Sequence, residues 1–149
     1  MQIIQFTILI DANNQKVWNT MLDNKTYPEW TKEFNPTSSY VGSWDKGSEI
    51  RFVGVNDDGK QEGMFSHIKE NIPHRFISIE HLGLITNGVV DTTSEQVKKW
   101  APSFENYTFT PKGNKTELKV EMQVDEEYKD MFDEMWPRAL KALKELCER

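Results

Sequence analysis

Phe6-Thr7-Ile8-Leu9-Ile10 is a short run rich in β-branched residues and predicts a strand. Asn13 precedes Val17, Met21 and Leu22, which share one face at helical spacing, and its side chain suits the cap of that helix. Thr26-Tyr27-Pro28-Glu29 has the form of a capping box with proline in the first turn. It opens a short helix carrying Trp30 and Phe34. From Tyr40 the period falls to two. Glu49 to Val53 alternates, Asp57-Asp58-Gly59-Lys60 supplies a turn, and Gly63 to Ile68 forms the return strand. Ile72-Pro73-His74 turns the chain into a strand over 76–82. Residues 86–101 break the pattern: Asn87-Gly88 is a turn signal, and Thr93-Ser94-Glu95-Gln96 starts a short helix ending near Trp100. Strands over 104–109 and 117–124 follow, joined across Pro111 to Asn114. In the second, Leu118, Val120, Met122 and Val124 alternate with Lys119, Glu121 and Gln123, so one face is buried and the other wet.

The last segment is the strongest helix. Asp125 caps it, and Glu126 and Glu127 complement the helix dipole. Tyr128, Met131, Phe132, Met135, Trp136, Ala139, Leu140, Leu143 and Cys147 form one apolar stripe. Positions 126–147 span about 33 Å, and Pro137 in the middle deletes one backbone bond and is expected to kink the helix. A long amphipathic helix and several half-buried strands bury their stripes against each other. The class is α+β, with one domain over residues 1–149.

Composition narrows the partners. Lys and Arg number 18 against 24 Asp and Glu, a net charge of −6, with no clustered basic face for phosphate. Nucleic acid is therefore not an expected partner. Mean hydropathy is −0.69, yet aromatics make up 11%, including five Trp and eight Phe, so the apolar content sits in a few large side chains. One cysteine allows no internal disulfide and fits a reducing compartment. Without a signal sequence or a run of about 20 apolar residues, stable membrane insertion is not expected and the cytoplasm is the expected location.

The residues Ile10-x-Ala12, Val17-Trp18, Tyr27-x-x-Trp30, Gly42-x-Trp44-x-x-Gly47-Ser48-x-Ile50-x-Phe52, Glu70 before Pro73, Gly113-x-x-Thr116-x-Leu118 and Trp136-x-x-Ala139-Leu140-x-x-Leu143-Lys144 occur in this order nearly end to end. In this the chain resembles the START-like (birch-pollen-allergen fold, SRPBCC) superfamily, in the branch named for the activator of the heat-shock-protein-90 ATPase. The resemblance implies a helix-grip fold: a curved antiparallel sheet around the long C-terminal helix, two short helices closing one end, and an elongated apolar cavity between helix and sheet. Residues 86–101 are longer than the usual connection. The superfamily holds binding proteins, cyclases, hydrolases and co-chaperone domains, so the fold alone does not select an activity.

Candidate chemistry is sparse. His67, His74 and His81 lack zinc-ligand spacing, no Gly-x-Ser-x-Gly elbow or phosphate-binding glycine loop occurs, and Cys147 reads as a small hydrophobe. No metal, cofactor or catalytic residue is assigned. In Ser78-Ile79-Glu80-His81-Leu82-Gly83, alternation places Glu80 and His81 on opposite faces, so only one faces the interior. An inward Glu80 would be a candidate acid or base, and an inward His81 a switchable hydrogen-bonding group. The ordinary alternative is a satisfied polar residue at the sheet rim. Arg51 and Arg75 are expected to point outward.

The expected ligand-cavity set is Trp30, Phe34, Phe52, Met64, Glu80, His81, Trp100, Tyr107, Met131, Met135 and Trp136. Residues 92–100 form either a lid plugged by Trp100 or a surface loop pinned by one aromatic. The leading expectation is binding of an apolar or amphipathic small molecule. Two alternatives remain: a cyclase- or hydrolase-type enzyme using the same cavity, and a stress-related co-chaperone-like module. A homodimer is left open.

Overall fold

A computed structural model describes all residues, Met1–Arg149. The elements run β1 (Gln2–Ile10), α1 (Asn14–Leu22), α2 (Tyr27–Thr31), β2 (Ser39–Gly42), β3 (Glu49–Val55), β4 (Gln61–Ile72), β5 (Phe76–Thr86), β6 (Val89–Asp91), α3 (Glu95–Lys98), β7 (Ser103–Lys112), β8 (Lys115–Val124) and α4 (Glu126–Cys147). Seven strands pair antiparallel in the order β1-β8-β7-β5-β4-β3-β2, and β6 adds to β5 beyond the end of β7. The chain is the α+β helix-grip expected: α4 packs against β1, α1 and α2, with the sheet's buried face beneath it. No helix is long and apolar enough to cross a membrane.

Local chemistry explains most element boundaries. Asn13 Oδ1 accepts from Lys16 N at 2.9 Å and caps α1, which buries Val17, Met21 and Leu22. Asp125 caps α4 by accepting from Glu127 N at 3.2 Å. The capping box at Thr26 does not form. Thr26 is itself in a helical conformation, and its hydroxyl donates to Thr20 O at 2.6 Å, tying α2 back onto α1. The helix ends at Thr31, and Phe34 lies just beyond it.

Strands β4 and β5 run longer than the sequence suggested, because two register shifts, at Phe65/Ser66 and Ile68/Glu70, interrupt strict alternation without ending the pairing. The 86–101 segment resolves into β6 and α3. Asp91 Oδ1 accepts from Thr93 N and Ser94 N at 3.1 and 3.0 Å, and Ser94 then caps α3. The buried anchor of this segment is Val97, which stands outside the main core cluster.

Helix α4 departs from the expected stripe in its first turns. Trp136, Ala139, Leu140, Leu143 and Cys147 are buried, whereas Tyr128 and Met131 are exposed. Full burial of α4 runs from Trp136 onward, Phe132 one turn earlier is half-buried against the core, and the first turn reaches past the covering elements.

Gly63 in β4 permits the tightest approach in the sheet. A Cβ there would lie 1.8 Å from Phe52 O. Gly63→Ala is expected to cost about 1–3 kcal/mol by forcing β3 and β4 apart. In a chain of this size that lowers the melting temperature by roughly 2–4 °C per kcal/mol, measurable by calorimetry. An unchanged melting temperature would mean that the β3–β4 pairing yields without cost.

Candidate functional site

The interior face of the sheet follows from register. Ile77 and Ile79 of β5 are fully buried; Tyr107 sits opposite Ile77 and Glu105 opposite Ile79, so both β7 side chains share that face. His81 continues the same face, directly opposite Ser66 of β4. These residues make one chain of contacts. Tyr107 OH donates to Glu105 Oε2, Glu105 Oε1 lies 3.0 Å from His81 Nε2, and His81 Nδ1 lies 2.7 Å from Ser66 Oγ. Every atom is satisfied when Nε2–H donates to the carboxylate and Nδ1 accepts from the serine hydroxyl. Ser66, His81 and Tyr107 are all buried, and Glu105 nearly so.

Rings enclose this relay. Phe52 meets His81 edge-on with centroids 6.0 Å apart, and Tyr27 lies against Phe52, Tyr40, Trp44 and Trp30. Trp136 reaches across from α4 to Phe34 (5.0 Å), Trp30 (6.0 Å), Phe6 (6.3 Å) and Tyr107 (6.3 Å). The elongated cavity implied by the resemblance is thus filled by rings where Trp136 crosses it. Burial, followed by the nearby Glu105 charge, pushes the phenols of Tyr27 and Tyr107 far above their ordinary value. Trp136 is 3% exposed, yet its Nε1–H has no hydrogen-bond partner.

The structure brings only part of the expected set together. Trp30, Tyr107 and Trp136 are in the core, Phe34 and Phe52 pack against it, and His81 faces inward. Glu80 takes the opposite face, 3.4 Å from His67 Nδ1 and 3.8 Å from Lys69 Nζ, so it is not an interior acid. Met131 is exposed. Met64, Met135 and Trp100 are half-buried and stand apart from the core cluster. For Trp100 the reason is that Val97 holds the α3 segment in its place.

Glu105 and Ser66 were missed. The signal for Glu105 was present: period two places it on the same face as Tyr107 and Phe109. Cys147 is buried, and burial pushes its thiol up to about 11, which makes it a poor nucleophile. No three His, Cys, Asp or Glu side chains converge as a metal site would require.

The family described as Activator of Hsp90 ATPase homolog 1-like protein matches residues 11–148, and the chain belongs to it. No curated protein matches the sequence. Among solved structures, protein MLL2253 from Mesorhizobium loti is 14% identical with a TM-score of 0.72, covering 97% of this chain and 96% of that one. The Aha1 dimer from Colwellia psychrerythraea is 16% identical with a TM-score of 0.72, covering 99% and 97%. CalU16 from Micromonospora echinospora is 18% identical with a TM-score of 0.66, covering 97% of this chain and 75% of its own. At these identities the likeness shows the fold.

Two outcomes follow from the relay. Glu105→Ala strands the Tyr107 hydroxyl and the His81 ring together, and is expected to cost about 2–4 kcal/mol in urea unfolding. Glu80→Ala on the wet face is expected to cost less than about 1 kcal/mol. Equal losses would show that the buried contacts of the relay contribute no more than an exposed ion pair.

The second outcome concerns alkali. The folded chain holds both phenols neutral, whereas the unfolded chain releases their protons near pH 10. Their contribution is therefore complete below about pH 10 and declines as pH rises further, by up to about 1.4 kcal/mol per pH unit for each phenol. The decline should be shallower in Tyr27→Phe, and a wild-type-like slope in that variant would contradict this account.

Proposed function

We propose that the chain binds an apolar or amphipathic small molecule between the sheet and α4. The observation that carries this is the unpartnered Nε1–H of Trp136, held in an interior otherwise made of rings and a satisfied polar relay. A buried donor without an acceptor costs about 1–3 kcal/mol, and a ligand oxygen placed there would recover it. Trp30, Phe34 and Tyr107 pack on Trp136, so a ligand enters by parting these rings, which then wall it, and Glu105 with His81 fixes the phenol of Tyr107 that a polar end would meet. Entry fits the N-terminal turns of α4, where Tyr128 and Met131 are uncovered and Phe132 is only half-buried.

Native mass spectrometry of gently purified protein, followed by thermal shift with a lipid and polyketide panel, tests the proposal. The expected result is added mass or a stabilising compound. For that compound Trp136→Phe, which removes only the donor and part of the ring, should weaken binding about five- to tenfold. A bare mass and no shift from any compound would overturn it.

A second reading, acid–base chemistry on such a ligand, is favoured by the inward His81 between Glu105 and Ser66. It requires turnover that disappears in His81→Gln while the compound still binds. Retained turnover would remove His81 from the chemistry.

A further inference from the structure

Three strands pair on one side only, and their free edges are not alike. Strand β2 is four residues long and ends on Gly42 at a φ of +122°, and β6 is three residues long. Edges this short are the ordinary protection against pairing with another chain. Strand β1 has no such protection. It is nine residues long, matches β8 without a register shift, and holds no Lys, Arg, Asp, Glu, Pro or Gly, although 28% of the chain is charged. Its free edge offers about 30 Å of unpaired N–H and C=O groups.

The side chains along β1 specify what pairs there. Ile3, Gln5, Thr7 and Leu9 share the outer face and are exposed, Ile3 by 62% and Leu9 by 47%. Ile4 and Ile10 on the other face are buried, and Phe6 and Ile8 half-buried. This order is symmetric about Phe6. A two-fold axis through Phe6, perpendicular to the sheet, lays β1 antiparallel to β1 of a second copy. Ile3 then stands opposite Leu9, Ile4 opposite Ile8 and Gln5 opposite Thr7, and only the outermost Gln2–Ile10 pair mixes polar with apolar. Moving the axis one residue either way sets Ile3 against Thr7 or against Asp11. Charge agrees with the same axis. Gln5 pairs with Glu121 and Thr7 with Lys119 inside each copy, so Glu121 of one copy and Lys119 of the other flank every Gln5–Thr7 pair. No row across the joined outer face brings like charges together. Pairing β1 with β2 of another copy would satisfy only four of its nine residues, whereas the two-fold uses all nine and leaves only the short edges free.

We propose that β1 is the interface for a second copy of this chain: two copies join edge to edge about an axis at Phe6 and form one continuous antiparallel sheet. The contact uses the ladder edge and the exposed Ile3 and Leu9, and it leaves the ring-filled interior of each copy as it is. A single shared ladder is a small interface, which sets the association in the micromolar range.

Sedimentation velocity of the full chain over a range of concentrations tests this. The expected result is a reversible monomer–dimer equilibrium with a Kd of about 1–100 μM. Ile3→Glu and Leu9→Lys, both at exposed positions, should each weaken dimerisation about tenfold or more while leaving the circular dichroism spectrum unchanged. An equimolar mixture of these two variants should recover dimers. The axis at Phe6 sets the new carboxylate of one against the new ammonium of the other, and Leu9 against Ile3 at the second pair. A wild-type chain that stays monomeric up to about 1 mM overturns the proposal. So do dimers that survive either substitution, growth beyond the dimer, or a mixture no more associated than its two components.

Discussion

Trp136 meets rings from several separate stretches of chain: Phe6 on β1, Trp30 in α2, Phe34 just after it, and Tyr107 on β7. A curved sheet gripping one helix leaves a gap that aliphatic side chains of ordinary length do not bridge, and the indole does. Truncating such a residue to alanine typically costs about 3–5 kcal/mol, a large part of the stability of a domain this size. Helix α4, the closing helix α2 and the sheet face that bears the relay come together at that contact. The same side chain leaves its one polar atom unanswered, so the group that closes the interior also marks where the interior is incomplete.

The two faces of the sheet divide the chemistry. Inside, charge is confined to one connected set, Glu105 with His81, buttressed by a phenol and a hydroxyl. Outside, Glu80 and Glu70 are neutralised by exposed partners at 3.2–3.8 Å, pairs that contribute little to stability but keep the surface free of concentrated charge. The net charge of −6 is distributed over this exterior and over the first turns of α4.

Much of the fold was legible because its signals are local. Asn13 and Asp125 cap as their chemistry dictates, and the alternation in β8 matches its burial. The family resemblance supplied the curved antiparallel sheet around the helix, while the order of its strands is read only from the structure. What failed were inferences that needed tertiary context. The Thr26 hydroxyl donates to Thr20 O instead of accepting from the first-turn amides of the helix it was expected to cap. The apolar stripe of α4 was read as uniformly buried, although sequence does not say how far the covering elements extend along it. Alternation correctly separated Glu80 from His81, but choosing between them required knowing that Ile77 and Ile79 face α4. At the site, single residues were visible and their connection was not: Glu105 and His81 are 24 positions apart and meet only through the β5–β7 register.

The strand order has a consequence for synthesis. Strand β1 pairs along its whole length with β8 and with no other strand, and α4, which follows β8, packs against β1. A chain emerging N-terminus first must carry β1 unpaired until residue 124 has appeared, with Ile4, Phe6, Ile8 and Ile10 lacking both their ladder and their helix. The middle of the sheet, β3 to β7, can zip by short-range hairpins well before that. Strand β1 therefore precedes its only partner by more than a hundred residues, and until β8 follows it is the strand that another molecule, or a chaperone, would find open.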